Sequence, residues 1–215
     1  MEGIDTSELK YFGRVLAINL KKFLDRSVDK YNSLFILDPE ESKEVFLDIS
    51  REMEQKGDYK GAGEVYKKIL ATDPNNVNAL FKLGKVYVNT GQFNEAREIL
   101  RKVVVFDNSI AQAFYLLGSA HFALDENLEA MEALEKAVGL NPGYAEAYYK
   151  MGLIFDARSE HDRAIEAYQK TISFSPDFIR AYQSLGFAYE SKGMRDEAVK
   201  YFKKAIDIEE RRSGK

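Results

Sequence analysis

His121 and His161 are the side chains best suited to proton transfer or metal ligation in this chain of 215 residues, which contains no cysteine. His121 falls on an apolar helical position, and His161 lies in the polar run Ser159-Glu160-His161-Asp162. A packed imidazole and a solvated one account for both, so neither a catalytic nor a metal role is expected. Gly61-Ala62-Gly63 begins like a phosphate-binding loop, but no strand precedes it and small residues there suit close helix packing. The acidic pairs Glu40-Glu41 and Glu209-Glu210 sit at the ends of helical patterns, where solvation explains them better than acid and base catalysis. No serine, histidine and carboxylate set can be assembled. The chemistry expected is therefore that of a binding protein with no catalytic residue, cofactor, metal or small-molecule substrate.

Composition narrows the partners. With 45% hydrophobic and 31% charged residues the chain can fold in water. Its 31 basic and 35 acidic residues give a net charge of −4, which lacks the positive field of a nucleic-acid binder, so no nucleic acid is expected. The first residues are acidic rather than basic, and the most apolar stretch, Ala111 to Leu124, is too short and too interrupted for a membrane span. Any membrane association is expected to be indirect or peripheral, and the location cytoplasmic.

The elements that must position any binding side chain repeat. Leu83-Gly84, Leu117-Gly118, Met151-Gly152 and Leu185-Gly186 recur every 34 residues. Ala62, Ala96, Ala130, Ala164 and Ala198 follow in step, as do Tyr66, Leu100, Leu134, Tyr168 and Phe202, and the prolines Pro74, Pro142 and Pro176. Within the second copy, Leu80, Leu83, Gly84 and Tyr87 stripe one helix and Ala96, Ile99, Leu100 and Val103 another. The glycine and alanine let two helices approach, and the aromatic at the Tyr87 position is expected to fill a wedge toward the next repeat.

This 34-residue pattern resembles the tetratricopeptide repeat. The resemblance implies an all-α fold: a right-handed superhelix, an α-solenoid of five helix-turn-helix repeats at 43–76, 77–110, 111–144, 145–178 and 179–212, with a short tail at 213–215. Three positions depart from the pattern: Ser50 stands for the first copy's glycine, Asn108 for a closing proline and His121 for a tyrosine. No capping helix is legible after Glu210, so the last helix face is expected to stay partly exposed.

In this family the inner face is lined by first-helix residues. Carried over position by position, the partner-binding groove comprises Asn78, Phe81, Lys82, Lys85 and Asn89 in the second copy and Gln112, Tyr115 and Ser119 in the third. The fourth contributes Glu146, Tyr149, Lys150 and Leu153, and the fifth Arg180, Gln183 and Phe187. The run Phe81, Tyr115, Tyr149 either meets a ligand or covers itself as a ladder. Family members that clamp a C-terminal carboxylate use lysine, asparagine and lysine where this chain has Phe81, Lys85 and Glu146, so that clamp is absent. A mixed apolar and charged ligand such as an amphipathic helix fits better.

Residues 1–42 do not keep the frame. Leu9, Phe12, Leu16, Leu20 and Phe23 form an apolar stripe among Lys10, Arg14, Lys21 and Lys22, and a second helical stretch runs from Val28 to Leu37, ended by Asp38-Pro39. This N-terminal helical hairpin reads as a cap on the array, as a segment that docks into a groove on a second copy, or as a peripheral membrane attachment. In its overall plan the chain also looks like the magnetosome-associated members of the repeat family. That resemblance implies a self-assembling scaffold, a homo-oligomer held through other proteins at the cytoplasmic face of a vesicle. The alternatives are a monomeric adaptor for a heterologous helix or peptide, and an assembly factor that guides a client.

Overall fold

A computed structural model describes residues 39–214, with side chains from residue 45 onward. All regular structure among the described residues is α-helical: α1 Pro39–Gln55, α2 Tyr59–Thr72, α3 Val77–Asn89, α4 Phe93–Phe106, α5 Ala111–Ala123, α6 Asn127–Leu140, α7 Ala145–Ala157, α8 His161–Phe174, α9 Ile179–Ser191 and α10 Arg195–Ser213. The fold is an all-α tetratricopeptide-repeat solenoid. The expected apolar stripe Leu9, Phe12, Leu16, Leu20 and Phe23 lies outside the described residues. The described helices fall into two compact units, one ending at Thr90 and the other beginning at Gly91.

In the first unit, α1 packs on α2 and α2 on α3. Pro39 opens α1, a position where its missing N–H and fixed φ suit a helix start, and the expected helical stretch from Val28 to Leu37 lies outside the described residues. Asp58 caps α2 by accepting from the Gly61 amide at 3.0 Å, and Asn76 caps α3 by accepting from Ala79 at 3.0 Å. Gly61-Ala62-Gly63 thus lies inside a capped first turn, with Ala62 fully buried, and is structural. Ser50, in the place of a glycine, is fully buried and satisfies its hydroxyl on the Leu47 carbonyl at 2.9 Å.

In the second unit each helix from α4 to α10 packs on the next, and the first helices α5 and α7 also touch. The repeating glycines show why these pairs lie so close. An ideal Cβ on Gly118 would stand 2.8 Å from Leu134 Cγ. On Gly152 or Gly186 it would run into the ring of Tyr168 or Phe202. Leu134 and Tyr168 are fully buried, so neither can yield without parting the helices.

The turn inside each hairpin needs one left-handed residue. Gly57, Gly91 and Gly193 supply it at φ +77°, +74° and +75°, but the same place in the intervening repeats is held by Asp125 at +60° and Ser159 at +59°. Between repeats, Asn108 replaces proline without loss of the turn. Asp107 accepts from the Ser109 amide at 2.9 Å and from its hydroxyl at 2.6 Å, and these bonds lower the Asp107 pKa.

The aromatic position represented by Tyr87 makes contacts to the preceding repeat. Lys67 of α2 lies 5.9 Å over the Tyr87 ring, and Gln169 of α8 lies within 3.4 Å of the Tyr189 hydroxyl. The ring of Tyr189 also stacks on Tyr201 of its own hairpin at 5.3 Å. On α10, Val199 and Ile206 are about half exposed, as the sequence leads one to expect of a terminal face.

Candidate partner-binding face

The two histidines take structural positions. His121 is buried, and its Nδ1–H donates to Glu126 at 2.5 Å; Arg97 of α4 reaches the same carboxylate at 2.5 Å. The imidazole contact is the largest cause of a lowered Glu126 pKa. His161 is the first residue of α8, where its Nδ1 lies 3.3 Å from Asp156, the acceptor of the Tyr168 hydroxyl at 2.7 Å. Burial, reinforced by that bond, pushes the Tyr168 pKa well above its ordinary value. Tyr66 and Glu54 make the equivalent contact at 2.5 Å in the first unit, with the same upward shift. These carboxylates tie helix pairs together. Among the described residues there is no group of three or more metal-ligating side chains.

The first-helix residues separate by burial. On α3, Asn78 and Asn89 are exposed while Phe81, Lys82 and Lys85 are half-buried. Lys85 bonds Glu54 at 3.2 Å and is not free for a ligand. On α5, Gln112 is exposed and Tyr115 half-buried, while Ser119 is only 6% exposed and offers almost no surface. Its Oγ is buried without a hydrogen-bonding partner. On α7, Glu146 is exposed, and Tyr149, Lys150 and Leu153 are half-buried. On α9, Arg180 and Gln183 are exposed, and Phe187 is 61% exposed while touching Phe202 edge-on at 5.0 Å.

Tyr115 and Tyr149 each pack on other rings of their own repeat. Tyr115 packs on Tyr144 with ring centres 4.9 Å apart, and Tyr149 packs on Phe178 at 4.9 Å and on Tyr168 at 5.7 Å. Tyr144 and Phe178 each precede the first helix of the next repeat and were not among the residues singled out from sequence. Their own 34-residue spacing was the available signal. Burial raises the pKa of Tyr115 and Tyr144, and the Glu146 carboxylate adds to both shifts. Lys150 extends over the Phe122 ring at 5.2 Å, and its pKa is lowered first by burial and then by the charge of Arg180.

Comparison with known proteins places this geometry. A family profile described as a tetratricopeptide repeat matches residues 139–211, and one described as anaphase-promoting complex, cyclosome, subunit 3, matches residues 55–137. No curated protein matches. A crystal structure of MamA is 56% identical and superposes with a TM-score of 0.71, covering 78% of this chain and 98% of its own. The chain belongs to the MamA family of tetratricopeptide-repeat proteins. MamA residues 41 to the end from Desulfovibrio magneticus RS-1 are 26% identical, with a TM-score of 0.72 over 80% of this chain and 96% of that one. YrrB, described as a TPR protein with an unusual peptide-binding site, is 25% identical at a TM-score of 0.63, covering 76% and 84%. The architecture is that of a tetratricopeptide-repeat scaffold for protein–protein interaction.

Proposed function

We propose that this protein is a non-enzymatic scaffold that binds protein segments on the first-helix face of its repeats and assembles with copies of itself. The observation that carries this reading is the state of that face in the second unit. Gln112, Glu146, Arg180, Gln183 and Phe187 remain exposed after packing has used the alternate faces of the same helices. A large aromatic ring left 61% exposed on a helix face that also carries exposed charged residues is the composition of a contact surface rather than of a solvated one. The face also fits the peptide-binding description of YrrB.

Membership in the MamA family supports the finer reading. The protein coats the cytoplasmic face of magnetosome vesicles as a homo-oligomer, reaching the membrane through other proteins. No described helix is long and apolar enough to cross a bilayer. Residues 1–42, with the stripe Leu9, Phe12, Leu16, Leu20 and Phe23, supply the segment that docks on the next subunit. Sedimentation of the full chain beside a version lacking residues 1–42 tests self-assembly. Oligomers of the full chain alone are expected, and two monomers at micromolar concentration would leave the monomeric adaptor as the surviving reading.

A further inference from the structure

Among the described helices only α9 packs extensively on α10. Val199 and Ile206 of α10 are 50% and 54% exposed, whereas the residues one repeat earlier on α8 are covered. Ile165, 7% exposed, lies in one core cluster with Leu185 and Ala188 of α9, and Ile172 packs against the cluster that holds Tyr182 of α9. Val199, Lys203 and Ile206 share one face of α10, at spacings of four and three. An open cleft of about 700 Å³ lies along it, with Tyr182, Asp196, Val199 and Lys203 among its lining residues.

The α8–α9 junction shows what such a face meets. Lys192, just past the end of α9, bonds Asp162 of α8, and Gln169 of α8 lies within 3.4 Å of the Tyr189 hydroxyl. One repeat on from Asp162 and Gln169 stand Asp196 and Lys203, both exposed on α10. Four repeats before Lys192 stands Lys56, just past the end of α1, 61% exposed and bonded to Glu52 of that helix. The array thus carries at its two ends the two halves of the ion pair that joins α8 to α9. By register α1 is itself a first helix, with Phe46, Ile49 and Ser50 in the places of Leu80, Leu83 and Gly84 of α3.

Charge selects among the helices of this chain that could lie there. Lys200, Lys203 and Lys204 outnumber Asp196 and Asp207 along the cleft, which disfavours a second α10 and also the N-terminal stripe with its Lys10, Arg14, Lys21 and Lys22. The sequence of α1 holds six acidic residues and two basic ones. We infer that α10 receives α1 of a second copy, stacked as α9 stacks on α8, with Asp196 facing Lys56 of that copy. This rests on the self-assembly proposed above and adds a surface to it. The contact joins two different surfaces, so copies add end to end instead of stopping at a symmetric pair. An exposed ion pair contributes little attraction, so burial of Val199 and Ile206 supplies it while the charges set partner and register.

Cross-linking of the full-length protein tests the contact, since the chain has no cysteine of its own. Asp196→Cys and Lys56→Cys proteins, mixed at micromolar concentration and treated with a short bismaleimide, are expected to give a covalent dimer containing one of each. Adding Val199→Glu to the Asp196→Cys protein is expected to cut that yield roughly tenfold. Circular dichroism is expected to show unchanged helicity, because Val199 is half exposed. Dimers formed as readily by Asp196→Cys alone would mean that α10 pairs with itself and overturn the inference. A mixed cross-link indifferent to Val199→Glu, or none at all while the unmodified protein sediments as an oligomer, overturns it too and leaves self-assembly to another surface. An unmodified protein that sediments as a monomer overturns both.

Discussion

Replacing Gly152 by alanine puts the close helix contact of the fourth repeat to a quantitative test. In an exposed helix interior the change from glycine to alanine stabilises by about 0.5–1 kcal/mol, because glycine gives up more conformational freedom on folding. At Gly152 the added methyl would meet the ring of Tyr168, which is fully buried and anchored through its hydroxyl to Asp156 at 2.7 Å. Relief requires α7 and α8 to separate or the ring to leave its rotamer, an overpacking cost of about 1–3 kcal/mol. The net expectation is destabilisation by roughly 0.5–2 kcal/mol once the helical gain is subtracted. Gly139 on α6 is the control: a Cβ there meets nothing within 4 Å, and alanine should stabilise by the helical gain alone. Urea unfolding followed by circular dichroism reads both, with midpoints compared rather than extrapolated energies because repeat arrays need not unfold in two states. Equal midpoints for Gly152→Ala and Gly139→Ala would refute the packing argument.

Other consequences are as direct. Ser159 carries a left-handed φ that costs an ordinary residue about 1–2 kcal/mol, part of which glycine's unfolded-state entropy offsets, so Ser159→Gly should raise the urea midpoint slightly and Ser159→Val should lower it. Tyr66 and Tyr168 hold their protons above the unfolded value of about 10, so their stabilisation is full below that pH and is lost as pH rises beyond it, by about 1.4 kcal/mol per pH unit for each. Tyr168→Phe should therefore flatten the alkaline arm of a stability profile, at the cost of about 0.5–1.5 kcal/mol at neutral pH for the lost hydrogen bond. Glu126→Gln should lower the thermal midpoint more than Glu129→Gln, since Glu126 holds both buried His121 and Arg97 while Glu129 is exposed.

The repeat was legible because a hairpin stacked on copies of itself must place the same small residues at the same contacts, and Gly118, Gly152 and Gly186 do so. Their partners Leu134, Tyr168 and Phe202 could be read from the same frame. What escaped sequence reasoning depends on which neighbour a side chain meets. Tyr115 and Tyr149 read from sequence either as ligand contacts or as rings covering one another, because the rings that do pack on them, Tyr144 and Phe178, stand at the far end of the same repeat. Ser119 shares a helical face with exposed residues yet is buried, and Lys85 is taken by Glu54 from the preceding repeat. The turns at Asp125 and Ser159 were hidden because only glycine announces a left-handed residue. Position within a repeat is thus written in the sequence, whereas exposure depends on contacts made between repeats.

The central claim is that partners are held on the first-helix face. A photo-crosslinking residue placed at Gln183, exposed on α9, and another at Glu166, exposed on α8, test it in the full-length protein within an extract of its own cells. Cross-links to a second copy or to another protein are expected from position 183 and not from 166. Cross-links from 166 alone would move the binding surface to the second helices and contradict the account.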